Sequence, residues 1–166
     1  MNTDIVVFTD GSSLNNQNKY ARRGGFGIFF KDEDPRNQSI KITPDISKKV
    51  TNQIAELLAC IYAIEIIIGT DIIKDKNIII YTDSMYTINS ITKWANKWKN
   101  NQWKKSNGKT IENIDLIKKL YFYSKNLNIK YIHVKAHQEP PSLDSPNYFT
   151  WYGNNMADSL AVQAAK

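Results

Sequence analysis

One cysteine is all that the sequence holds. Cys60 has no partner within the chain, which excludes an internal disulfide framework and a cysteine-based zinc centre. The opening residues, MNTDIVVFTDGSS, carry neither a basic leader nor a long apolar run, so no signal peptide is expected. The longest apolar stretch, Ala55 to Ile68, is interrupted by Glu65 and reads as too short to span a bilayer. A soluble, intracellular protein with no membrane partner is expected. Acid is missing from one segment in particular. Between Lys93 and Lys109 there are six lysines and three of the four tryptophans, and not one Asp or Glu.

The 166 residues favour one domain spanning 1–166, and 42% hydrophobic content is enough for a core without staples. A monomer is expected. Lys plus Arg number 22 against 16 Asp plus Glu, a net charge of +6. An excess of this size favours polyanionic partners, and its clustering matters more than its total. No repeat, linker or low-complexity tract breaks the chain.

Alternation over Ile5 to Asp10 predicts a strand that ends in a turn at Asp10-Gly11-Ser12-Ser13. A polar loop, 15–23, leads to a second strand over 26–31, and a turn containing Pro35 precedes a third at 39–43. Short connections make these three an antiparallel meander. The period then changes. A helix beginning at Thr51-Asn52-Gln53 is apolar almost all round, and Gly69 is expected to end it. Asn77 to Thr82 has the continuous apolar pattern of a buried parallel strand. Asp83-Ser84 can cap a helix over 85–94. Further elements are a helix at about 111–126, a strand at 129–136, a proline-containing loop over 137–150 and a helix at about 153–165. The order β-β-β-α-β-α-α-β-α implies an α/β fold, a mixed sheet with helices on both faces.

Four carboxylates occupy telling positions. Asp10 and Asp83 each follow an apolar strand, and strand ends line the ligand crevice of open α/β sheets. Glu56 lies one turn into an apolar helix, where an ionised carboxylate needs compensation. At about 100° per residue it shares a face with Asn52 and Gln53, while Glu65 points elsewhere. Asp158 borders the buried stripe of the last helix. Taken singly, each has a bland reading as turn former, cap or dipole partner. Together they would repel one another unless they surround multivalent cations, and oxygen-only ligands suit magnesium or manganese.

Thr9-Asp10-Gly11-Ser12, Thr51-Asn52-Gln53-Ile54-Ala55-Glu56, Tyr81-Thr82-Asp83-Ser84 and Gly153-Asn154-Asn155-Met156-Ala157-Asp158 resemble, in order, the four motifs of ribonuclease H, type 1. Ile132 to His137 and the basic segment after Asp83 extend the likeness to nearly the whole chain. Thr-Asn-Gln and the run from Thr82 to Asn89 are most similar to eukaryotic-type members. No room is seen for the separate hybrid-binding domain that many of those carry at the amino end. The resemblance implies a ribonuclease H-like five-stranded sheet with a basic protrusion. It also implies a single activity: endonucleolytic hydrolysis of the RNA strand of RNA–DNA hybrids, leaving 5′-phosphate and 3′-hydroxyl ends. Asp10, Glu56, Asp83 and Asp158 would hold two Mg2+ ions, with Mn2+ possible, and His137 would assist proton transfer or product release. His133, inside its strand, reads as structural.

The likeness also assigns substrate contacts. Asn16, Asn52 and Gln53 would meet 2′-hydroxyls and base edges in the minor groove, and Glu56 would accept from a 2′-OH. Lys49, Thr51 and Asn113 match a pocket for a DNA-strand phosphate, with Lys49 where arginine is common. Tyr86, Trp94, Trp98 and Ser106 match a DNA-strand channel. Independently of the family, Trp94 and Trp98 at i, i+4 share a helix face flanked by Lys93, Lys97 and Lys99, as nucleic-acid binding requires. The alternative is a tryptophan pair packed in the core.

Two departures stand out. His137 precedes Asp158 by 21 residues, about twice the family's usual spacing, and the added Gln138 to Tyr152 stretch reads as an aromatic loop that shapes product release or touches substrate. Asn155 stands where an acid is frequent. Among rivals, an aspartyl-nucleophile phosphatase needs a second Asp where Ser12 stands. A binding module with a dead site conflicts with four intact carboxylates. Integrase- or resolvase-like transferases lack the Thr-Asn-Gln signature and the basic handle.

Overall fold

The computed structural model describes residues 4–18 and 22–166. Residues 1–3, and positions 19–21 of the expected polar loop, lie outside them. Strands β1 (Asp4–Leu14), β2 (Arg23–Phe29) and β3 (Gln38–Lys41) form the meander. Helix α1 (Asn52–Thr70) leads to β4 (Asn77–Thr82). Next come α2 (Met85–Asn89), a π-helical turn (Ser90–Trp94) and α3 (Ala95–Asn100). Helix α4 (Ile114–Asn126), β5 (Ile129–His133) and α5 (Tyr148–Ala165) complete the order. The sheet runs β3-β2-β1-β4-β5, with β1 antiparallel to β2, β2 to β3, and β1, β4 and β5 parallel. The expected mixed five-stranded sheet is therefore present.

Strand alternation sends side chains to two cores. Ile5, Val7, Phe26, Ile28, Ile78 and Ile80 join α1 and α4 on one face. Phe8 and Phe29 meet Ala157 of α5 on the other, with Val6, Tyr81, Met156 and Leu160 around them. Gly27 explains the closeness of α5 to β2: a Cβ there would lie 2.3 Å from the Ala157 carbonyl oxygen.

Four sequence expectations shift. The turn at Asp10–Ser13 is instead strand, because Asp10 to Leu14 continue the ladder with β2 through Gly27 to Arg23. Gly69 does not end α1; the helix runs one residue further and the Asp71 N–H closes on the Ile67 carbonyl at 2.9 Å. The helix after Asp83 does not stop at residue 94 but passes through the π-helical turn to Asn100. Helix α5 starts at Tyr148, not Gly153, because Phe149 packs edge-on to Phe8 (5.4 Å) and Tyr152 to Phe29 (5.9 Å). The last third of the expected aromatic loop, Tyr148 to Tyr152, is thus helix docked on the sheet.

By length and composition α1, at 19 residues, could cross a membrane. Its place in the core follows from packing instead: eleven of its residues, from Ile54 to Ile67, are buried.

A cation cluster fastens the β2–β3 turn to the end of α1. Arg36 donates to both Asp34 oxygens (3.0 and 2.8 Å) and to both Asp71 oxygens (2.8 and 3.0 Å), and its guanidinium lies 4.1 Å from the Phe30 ring centroid. The guanidinium holds Asp34 below the usual carboxylate range. Arg36→Ala leaves that buried carboxylate unpaired, so urea unfolding is expected to show a loss of about 2–3 kcal/mol. Lys should recover only part of it, since an ammonium cannot reproduce the fork.

Candidate metal and nucleic-acid site

Asp10 and Asp83 become neighbours through register. Phe8 pairs with Tyr81 on adjacent parallel strands, and each aspartate lies two residues further along its chain. Glu56 arrives from the first turns of α1, whose N-terminus is capped by Thr51 Oγ1 accepting from Ile54 N–H at 3.1 Å. The result is a cluster: one ligand oxygen from each of Asp10, Glu56 and Asp83 lies within 4.8 Å of the other two. Asp158 on α5 is outside that triad but lines the same cavity of about 440 Å³. His137, Asn52, Gln53, Ser12 and Ser84 complete its wall.

The electrostatics are those of a cation site. Burial, then the Glu56 and Asp83 carboxylates, push Asp10 up to about 11. Burial and Asp83 push Glu56 up to about 8, and burial raises Asp83 as well. Glu56 Oε2 is buried without a hydrogen-bond partner. A donor set of carboxylate oxygens alone, one of them unpartnered, fits a hard divalent cation, which would replace the shared protons.

Folding keeps protons on Asp10 and Glu56 that the unfolded chain releases above about pH 4, so metal-free stability falls as pH rises from there, through about 8 for Glu56 and about 11 for Asp10. Asp10→Asn is expected to stabilise the metal-free protein, on the order of 2 kcal/mol at pH 8 and little at pH 4. Thermal melts in chelator across that range check this. Added Mg2+ should raise the wild-type Tm at pH 8 more than that of the variant.

The minor-groove candidates lie at the same edge. Ser13 Oγ is 2.8 Å from Asn16 Oδ1 and 2.8 Å from Asn52 Oδ1, joining β1, the following loop and α1. Sequence reading missed Ser13 because it placed a turn there; the strand period continued past Asp10 was the available signal. Gln53 is exposed beside Asn52.

The protruding segment brings the aromatic candidates together. Tyr86 meets Trp94 edge-on at 6.2 Å, and Trp94 lies 5.9 Å from Trp98. Trp94, Trp98 and Ser106 share a depression with Lys97, Lys105 and Asn107. Trp98 also leans on the core, as the packing alternative expected. Trp103 instead packs on Tyr121 (5.6 Å) and Phe122 (6.2 Å). Asn113 Nδ2 donates to Tyr86 Oη at 3.1 Å, Thr51 caps α1, and Lys49 lines a separate basic depression.

His137 adopts a left-handed backbone, φ 54°, and reaches both the carboxylate cavity and a small crevice beside Trp151. Trp151 Nε1 donates to the Gln138 carbonyl at 3.0 Å, which fastens the chain one residue beyond the histidine. Nothing in the sequence pattern signalled that bond. His133 is the exposed last residue of β5.

This fold and cluster define a class: a mixed α/β sheet in which the middle of β1, the first turns of α1 and the end of β4 carry a carboxylate site fit for divalent cations. The sequence model of the RNase H family matches residues 2–166. The chain belongs to the RNase H family. It is 39% identical over 160 residues to "Ribonuclease H" of Schizosaccharomyces pombe, covering 96% of this chain and 52% of that protein. To "Ribonuclease H" of Ruthia magnifica it is 33% identical over 159 residues, covering 95% and 92%. The solution structure of the PFV RNase H domain superposes with a TM-score of 0.70 at 26% identity, covering 96% of this chain and 93% of that one. The chain spans about half the length of the fission-yeast and mammalian relatives it matches.

Proposed function

We propose that this chain hydrolyses the RNA strand of RNA–DNA hybrids, leaving 5′-phosphate and 3′-hydroxyl ends. The observation that carries the reading is the packing of three carboxylates from β1, α1 and β4 within 4.8 Å, with an unpartnered Glu56 oxygen among them. Two Mg2+ ions, or Mn2+, would supply an activated water and stabilise the departing 3′-oxygen. Asp10, Glu56, Asp83 and Asp158 bind and orient that pair. Glu56 also accepts from the 2′-OH next to the scissile phosphate, a group DNA lacks. Asn16, Asn52 and Gln53 read the minor groove from the edge that Ser13 ties together. Tyr86, Trp94, Trp98 and Ser106 carry the DNA strand, and Lys49, Thr51 and Asn113 hold its phosphates. The His137 imidazole moves a proton at the departing oxygen or helps product leave. This domain acts as a monomer inside the cell.

The test is cleavage of an end-labelled RNA presented in a hybrid, in double-stranded RNA and alone, with Mg2+ and with chelator. Cutting confined to the hybrid and dependent on Mg2+ is expected. Hybrid binding without any cutting would sink the enzymatic reading in favour of a recognition module.

A further inference from the structure

A second basic surface lies away from the tryptophan-bearing protrusion. Arg22, Arg23, Lys41, Lys48 and Lys49 line one depression of about 550 Å³, with Ser47 and the apolar Ile42, Pro44 and Val50 as its remaining wall. Its cations come from the start of β2, the end of β3 and the approach to α1. Pairing of Gly25 with Lys41 across the two strands brings them together. No acid lines it. Asp45, the carboxylate of the adjoining loop, is engaged by the Thr43 hydroxyl at 2.5 Å. Among the described residues, none of the five cations is in an ion pair with an acidic side chain.

An ordinary solvated face would leave such side chains free, and here several are held. Arg22 donates to the Asn16 carbonyl through Nε (3.2 Å) and Nη2 (3.0 Å) and reaches the Val50 carbonyl at 3.5 Å. Lys41 Nζ and Arg23 Nη1 lie 3.1 and 3.4 Å from the main-chain oxygen of Lys166. Carbonyl dipoles position Arg22 without cancelling its charge, whereas Lys41 and Arg23 engage the oxygen of the last residue, Lys166, so the mutual repulsion that a polyanion would relieve is greatest among Arg22, Lys48 and Lys49. The depression is also continuous with the candidate site. Arg22 holds the carbonyl of Asn16, whose side chain shares Ser13 with Asn52.

We propose that this depression is a second phosphodiester-binding tract, gripping the backbone of the hybrid beyond the nucleotides seated at the carboxylates. The proposal rests on the hybrid-hydrolase reading. It extends the footprint outward from Lys49, which the family resemblance assigned to a phosphate pocket, with Arg22, Arg23, Lys41 and Lys48 as the added contacts.

The experiment is steady-state cleavage in Mg2+ over a salt series, with a short hybrid that only fills the carboxylate cavity and one of about three helical turns. The variant is Arg23→Gln/Lys41→Gln/Lys48→Gln. On the long hybrid KM should rise about tenfold at moderate salt, the slope of log KM against log salt should fall by about 2–3, and kcat should hold. The short hybrid should show neither change. Removing equal charge elsewhere, with Lys31→Gln/Lys74→Gln/Lys130→Gln, should leave the slope intact. If the triple variant fails to fold, Lys41→Gln/Lys48→Gln, both exposed, should lower the slope by about 2. An unchanged long-hybrid KM and slope would overturn the tract, as would equal losses on both hybrids or with the control variant. Failure of the wild type to cleave either hybrid would instead remove the hydrolase reading beneath it.

Discussion

Asp83→Asn is expected to cost hybrid cleavage roughly 10³-fold in kcat while leaving hybrid affinity within a few-fold of wild type, a loss of about 4 kcal/mol of transition-state stabilisation. The side chain is one of three whose oxygens approach within 4.8 Å, and it stands on a strand end that register holds beside Asp10. An amide keeps the shape and one oxygen but removes the negative charge that would balance a divalent cation. Single-turnover cleavage on a saturating hybrid separates this from weakened binding. Activity within tenfold of wild type would show that the triad does not organise the reaction. Because burial already raises Asp83, outweighing the Asp10 hydrogen bond and the two histidines, the fold should tolerate the change, and the Tm in chelator should not fall.

The second large effect concerns stability. Gly11→Ala is expected to destabilise the protein by about 3 kcal/mol and to lower activity beyond what unfolding explains. A Cβ at Gly11 would lie 2.5 Å from Glu56 N, 2.6 Å from Ala55 C and 2.7 Å from Ala55 Cβ. Two of these atoms are backbone, so relief requires moving α1 away from β1 rather than rotating a side chain. That movement carries Glu56 out of the triad. Urea unfolding measures the first consequence, and Mg2+ dependence of kcat in the surviving folded fraction measures the second. A neutral Gly11→Ala would mean that α1 can slide without disturbing the site.

Much of this was legible in the residues. The parallel strand at Asn77–Thr82 and the order of elements followed from periodicity, and Asp10, Glu56 and Asp83 stood out in combination, since each taken singly has a bland reading. What stayed hidden depended on partners distant in sequence. Asp10-Gly11-Ser12-Ser13 has the composition of a turn, and only the β2 ladder makes it strand. Tyr148 to Tyr152 follow a proline-containing stretch, and only the Phe8 and Phe29 rings beneath them reveal a helix start. The length of α1 argued from one charged residue was equally incomplete, since burial rather than hydropathy decides where that helix belongs. The Asn113 bond to Tyr86 belongs to the same category, because such side-chain partners leave no mark in spacing.

The bond from the Trp151 indole to the Gln138 carbonyl joins positions 13 residues apart in the chain. It makes the intervening segment a closed excursion whose two ends are already fixed, next to His137 on one side and on α5 on the other. The entropy of such an excursion grows only as the logarithm of its length, about 0.6 kcal/mol for a doubling. Placement of the histidine is therefore uncoupled from the number of residues that follow it. Insertion and loss between Glu139 and Asn147 become a tolerated kind of variation, while the tryptophan that closes the excursion does not.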